Sequence, residues 1–192
     1  PCGGSPVSSF KTLTVIPNAS IGSVTGTSPL CIGGTATYSA NSVVLGGGTG
    51  AWSSSNTVVA TVNTSTGLVT GVSGGTSNII FTITGGCGGT VSAQQSVTIN
   101  PNASIGSVTG TTPLCIGSTA TYTANAVVLG GGTGAWSSSN ASVATVNSST
   151  GLVTGVAAGT SNIIFTITGG CGGTVSAEQL LTIDPNANAG TI

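Results

Sequence analysis

Gly50-Ala51-Trp52-Ser53-Ser54-Ser55-Asn56-Thr57-Val58-Val59-Ala60-Thr61-Val62-Asn63-Thr64-Ser65-Thr66-Gly67-Leu68-Val69-Thr70-Gly71-Val72 is the stretch that decides the fold. Residues 58–62 and 68–72 are short runs rich in β-branched side chains. They flank 63–67, an Asn-to-Gly turn that closes a hairpin. Residues 51–54 form a third strand that carries Trp52 out of the flexible glycine loop 46–50. Outward from this centre, 19–24 and 35–40 read as strands, the latter with Ala36, Tyr38 and Ala40 on one face. Residues 78–84 (NIIFTIT) direct Ile79, Phe81 and Ile83 inward, and 91–99 alternates Val91, Ala93, Gln95, Val97 and Ile99. Turn residues recur at intervals of about 8–12, and no segment has a helical period. The expectation is an all-β sandwich of seven strands, with Trp52 and Phe81 in its core.

The same stretch recurs from Gly134 to Val156, because 17–100 and 101–184 are near-identical blocks that differ at 13 positions. Trp136 and Phe165 are the second copy's core counterparts. One fold used twice predicts two domains, 17–100 and 101–184. Residues 1–16 resemble the tail of a block, matching 87–99 with one residue inserted, so they read as the last strand of a preceding, incomplete repeat. Residues 185–192 resemble the start of a following one. The inter-domain joint is only Asn100, Pro101 and Asn102. Proline fixes φ and restricts its neighbour, so a joint this short predicts sandwiches arranged end to end as a stiff rod. A sharper alternative is a self-assembling fibre subunit whose end strands complete sandwiches in neighbouring molecules.

Composition excludes most chemistry. Lys11, Glu178 and Asp184 are the only charged side chains, and there is no Arg, His or Met. Nucleic acid is excluded as a partner, since phosphate binding needs clustered Lys and Arg. Without histidine no base is arranged to activate the many serines, and the first block holds no carboxylate for acid–base work. No catalytic residue, cofactor or metal site is expected, and no apolar run reaches the ~18 residues of a membrane span. The glycine loops 46–50 and 130–134 lack the Lys-Ser/Thr pair and helix of a phosphate loop. A place in the sandwich core and a sugar-stacking platform compete for Trp52 and Trp136. With the Thr- and Ser-rich faces, the second use implies a carbohydrate- or surface-binding module, with polysaccharide or another solid surface as partner.

The quoted stretch closely resembles bacterial immunoglobulin-like domains of group 2, in a cysteine-bearing form found in very long surface proteins of gliding bacteria. The resemblance implies immunoglobulin-like β-sandwiches in tandem. It also implies a non-enzymatic role as stalk or adhesin, outside the cell or on its surface, with neighbouring copies of the repeat as partners.

Cys31 and Cys87 recur at Cys115 and Cys171 with the same spacing, and Cys2 stands in the leading fragment. Regular cysteines in a chain without histidine predict disulfides rather than zinc, in an oxidising compartment. Two pairings compete. The intra-domain scheme joins Cys31 to Cys87 and Cys115 to Cys171. Yet five antiparallel passes separate Cys31 from Cys87, which puts them at opposite ends of a sandwich, about 30 Å apart. A disulfide tolerates a Cα separation of only about 4.4–6.8 Å. The inter-domain scheme, favoured on this count, joins Cys31 to Cys171, Cys87 and Cys115 to adjacent repeats, and Cys2 to an upstream one. Either scheme contributes about 3–5 kcal/mol.

Overall fold

The structure, a computed structural model, describes residues 10–187. Eighteen strands and no helix occur among them, nine in each sequence block. The first block contains β1 (Ser23–Thr25), β2 (Leu30–Cys31), β3 (Thr35–Thr37), β4 (Ser39–Asn41), β5 (Thr49–Ser54), β6 (Ala60–Val62), β7 (Leu68–Gly71), β8 (Gly75–Thr84) and β9 (Val91–Asn100). The second repeats them as β10 (Ser107–Thr109), β11 (Leu114–Cys115), β12 (Thr119–Thr121), β13 (Thr123–Asn125), β14 (Thr133–Ser138), β15 (Ala144–Val146), β16 (Leu152–Gly155), β17 (Gly159–Thr168) and β18 (Val175–Asp184).

In the first block β2, β9, β8 and β5 form one sheet, β3, β7 and β6 another, and β1 pairs with β4. The second block has the same order. The long β8–β9 ladder is antiparallel, from Gly75 opposite Ile99 to Ile83 opposite Val91. The β6–β7 hairpin closes through Asn63, whose side-chain oxygen accepts from the Ser65 and Thr66 amides at 3.0 and 2.9 Å. Gly67 completes that turn at φ 71°. A methyl there would lie 2.5 Å from the Tyr38 carbonyl oxygen and 2.9 Å from the Trp52 indole, so only glycine lets the turn close over the core.

Nine segments stand where seven strands are expected. The run 35–40 divides at buried Tyr38, with β3 pairing to β7 and β4 to β1. Only the end of 19–24 is a strand, and Ser20 adds an isolated bridge to Val44. The additional strand β2 is two residues long and runs parallel to β9, the one parallel pairing of its block.

Trp52 packs in the core with Val24, Tyr38, Val69, Ile79, Val97 and Ile99, and Trp136 sits in the equivalent cluster. Both indoles are buried. Phe81 and Phe165 are half-buried, with ring centroids 4.9 and 5.0 Å from Trp52 and Trp136. The Ser-Ser-Ser-Asn run after each tryptophan has its own task. Ser54 Oγ donates to the Ala60 carbonyl at 2.6 Å and pairs with Ser77 Oγ at 2.8 Å. The Asn56 amide donates to Ser77 Oγ at 3.0 Å. Each buried hydroxyl is thereby partnered, and the strand end is tied down.

The Tyr38 and Tyr122 hydroxyls donate to the Thr27 and Thr111 carbonyls, each at 3.0 Å. Burial raises both phenols above the ordinary tyrosine pKa. The unfolded chain therefore ionises first, near pH 10. The stability these groups supply is complete below that pH and is lost as pH rises through the folded value. Denaturation midpoints followed upward from pH 8 are expected to fall above about pH 10. The double substitution Tyr38→Phe/Tyr122→Phe should flatten this decline, at a cost of about 1 kcal/mol per lost hydrogen bond at neutral pH.

Candidate functional site

The candidate site residues are the cysteines, and two backbone arrangements fix where the four described ones stand. At the exit end of the first block, β2 lies beside the last residues of β9, with Leu30 opposite Ile99 and Cys31 opposite Asn100. The Ile32 amide donates to the Asn100 carbonyl at 3.3 Å, and the Gly33 amide to the Gly71 carbonyl at 2.9 Å. Cys31 is thus held level with the residue where the chain leaves the block. At the entry end of the second block, Cys171 sits in the β17–β18 loop. Its amide donates to the Gly130 carbonyl at 2.9 Å, and its own carbonyl accepts from the Ala103 amide at 2.7 Å. Gly130, at φ 60°, leaves no room for a side chain, since a methyl would lie 2.7 Å from the Pro101 carbonyl oxygen.

Cys31 and Cys171 are bonded, with Cα atoms 5.5 Å apart and a sequence separation of 140. The bond therefore crosses from one block to the next, beside the peptide link through Asn100, Pro101 and Asn102. Cys31 is not bonded to Cys87. Those two residues lie toward opposite ends of β9, whose ten residues span about 30 Å.

The same two settings exist without a partner. The Cys87 amide donates to the Gly46 carbonyl at 2.9 Å, and the Ala19 amide to the Cys87 carbonyl at 2.7 Å. Cys115 lies opposite Asp184 in a parallel β11–β18 pair, and the Ile116 amide donates to the Asp184 carbonyl at 3.3 Å. Both thiols are exposed and unpaired among the described residues, and Cys2 lies outside them. The cysteine sites are built by the backbone, not by the bond.

Comparing the two entry ends shows what the joint covers. Val128 and Leu129, beside the joint, are 37% and 44% exposed; their counterparts in the first block, Val44 and Leu45, are 38% and 45% exposed. Cys171 falls to 8% exposed, whereas Cys87 is open. The blocks are joined by two covalent links and very little apolar contact. Pro29, Leu30, Cys31, Asn100, Gly130 and Cys171 line a cleft of about 220 Å³ there, without an ionisable group among them. Among the described residues no cluster of His, Cys, Asp or Glu could hold a metal ion. The buried Trp52 and Trp136 offer no ring face for stacking a sugar. Ala19, Ala103, Gly46 and Gly130 go unnoticed in a reading of side-chain chemistry, because they act through backbone groups. The signal for the alanines is the recurrence of Pro-Asn-Ala-Ser at 17–20 and 101–104, and that for the glycines is the recurrence of the loops 46–50 and 130–134.

Residues 93–177 match the model of the bacterial Ig-like domain (group 2), a window running from β9 into β18. Solved structures similar to this chain include domains 1–6 of the surface layer protein SbsC, at 17% identity and TM-score 0.39. That match covers 90% of this chain and 29% of the SbsC chain, so this chain spans less than a third of it. The 282-residue C-terminal fragment of intimin, solved with the intimin-binding domain of the translocated intimin receptor, matches at 17% identity and TM-score 0.47, over 86% of this chain and 65% of that one. Extracellular domains 3–5 of Drosophila OTK match at 12% identity and TM-score 0.48, over 88% and 63%. No curated protein matches the sequence.

Alkylation of the folded, unreduced chain with iodoacetamide is expected to modify Cys87 and Cys115 and to leave Cys31 and Cys171 untouched. All four should react after reduction and denaturation. Peptide mass spectrometry reads the sites directly, and labelling of Cys171 before reduction would contradict the joint described above.

Proposed function

We propose that this chain, whose residues 93–177 belong to the bacterial Ig-like domain family (group 2), is a section of a non-enzymatic filament or adhesin stalk. It works outside the cell or on its surface. Blocks 17–100 and 101–184 are its structural units, set end to end. Residues 1–16 and 185–192 are parts of the units on either side. Cys87 receives a bond from a preceding unit, Cys115 gives one to the following unit, and Cys2 pairs further upstream.

The observation that carries this reading is the match between occupied and unoccupied cysteine settings. Cys171 and Cys87 have equivalent backbone partners at the same distances, and the Cys31 and Cys115 carbonyls accept from the equivalent Gly34 and Ser118 amides at 2.9 and 3.0 Å. A chain with near-identical joints is a repeating staple, and a disulfide persists in an oxidising compartment. The covalent links replace what apolar burial does not supply at the joint. A small Ig-like unit with almost no charge gains stiffness from them and needs no ligand.

Antibody raised against the purified chain tests the placement. Intact, unpermeabilised cells of the source organism, or their culture fluid, are expected to carry the signal without lysis. Signal that appears only after the envelope is broken would overturn the reading.

A further inference from the structure

The two ends of a block differ in a way that governs how it carries force. At one end Ala19 and Cys87 are hydrogen-bonded neighbours; at the other Cys31 and Asn100 share a register in the parallel β2–β9 pair. Segments 17–31 and 87–100 therefore run side by side in the same direction, from the entry end to the exit end. Each of those four positions is a covalent gate, two through the peptide chain and two through sulfur.

From this arrangement we infer that the stapled repeats form a two-railed, extension-limiting tether. A pull on the chain runs along 17–31, through the Cys31–Cys171 bond, and on along 171–184. Residues 32–170 lie in a closed covalent loop and carry none of it. In the longer array, which rests on the proposed pairing of Cys87 and Cys115, the second rail runs through 87–100 and on through 101–115. Every block then contributes one fifteen-residue and one fourteen-residue rail segment. The 55 residues between them, 32–86 or 116–170, hang off the load path. These shielded segments hold Trp52, Phe81 and most of the core.

Magnitudes make the consequence concrete. A rail segment of this length, fully extended, reaches about 50 Å. The ten residues of β9 already span about 30 Å of that in the folded block. A block without staples extends to about 290 Å when unfolded. The stapled array therefore stretches by less than twofold even if every block loses its fold. The two segments of a rail are braced unequally. Residues 175–184 are laddered to β17 from Gly159–Ile183 to Ile167–Val175, whereas β1 in the 17–31 segment pairs with β4 at only three positions.

Single-molecule force spectroscopy on the whole chain, held at its two termini, tests the inference. The oxidised chain is expected to reach its limit with 32–170 still bypassed. Reduction, or Cys31→Ser, should then lengthen the fully stretched molecule by roughly 480 Å. Peptide mapping of the same preparation establishes whether the Cys31–Cys171 bond is present. A bonded chain that nevertheless stretches to the reduced length would overturn the tether and leave the staple standing. A preparation with no such bond would overturn both. Failure of the surface placement alone would leave the measured stretch limit unchanged.

Discussion

Everything at the joint depends on two residues of parallel pairing. Leu30 and Cys31 lie beside Ile99 and Asn100, and so carry a cysteine to the end of the block from which the chain departs. Had this segment paired antiparallel within the hairpin sheets, Cys31 would face its own block. The parallel pair is short, but it is anchored: Leu30 packs against the core cluster, and the Ile32 and Gly33 amides are taken up by Asn100 and Gly71. Its position beside β9, the longest strand with β8, gives the small element a rigid support.

The complementary setting is made by a loop. The segment 169–173 places Cys171 over the first residues of its own block by exchanging backbone hydrogen bonds with Gly130 and Ala103. Exit and entry are thus fixed separately, each by its own block, and the disulfide forms where they meet. Of the 13 differing positions, Val58/Ser142, Ser73/Ala157 and Ser96/Leu180 lie away from the four cysteines. Gly34/Ser118 and Asn100/Asp184 lie beside Cys31 and Cys115, and at both the backbone makes the contact: the Gly34 and Ser118 amides donate to the cysteine carbonyls, and the Asn100 and Asp184 carbonyls accept from the Ile32 and Ile116 amides.

Much of the sandwich is legible in the sequence. The hairpin about 63–67, the inward Ile79 and Ile83, and the alternation of Val97 and Ile99 follow from period and turn chemistry alone. The segmentation is less so. A strand of two residues, such as β2, has no periodicity to read, and the break at Tyr38 shows only when its two flanks pair with different partners. Phe81 illustrates a further limit. Its inward phase is evident, but it stays half-buried, with its ring laid diagonally over Gly50, the residue opposite Ile83. At the joint, strand direction favours the inter-block cysteine pairing without excluding the alternative. The amide donors that preset Cys87 and Cys171 belong to alanines, whose side chains announce nothing.

Near-absence of charge fits this economy of means. With Lys11, Glu178 and Asp184 as the only charged side chains, neither block has electrostatic repulsion or ion pairs with which to orient its neighbour. The apolar loop residues at the joint, Val128 and Leu129, stay as open as their first-block counterparts Val44 and Leu45. Orientation is left to two covalent links and the hydrogen bonds that position their ends. Proteolysis of the unreduced chain followed by peptide mass spectrometry tests that claim most directly. The account predicts a disulfide-linked peptide pair containing Cys31 and Cys171; a linked pair containing Cys31 and Cys87 would contradict it.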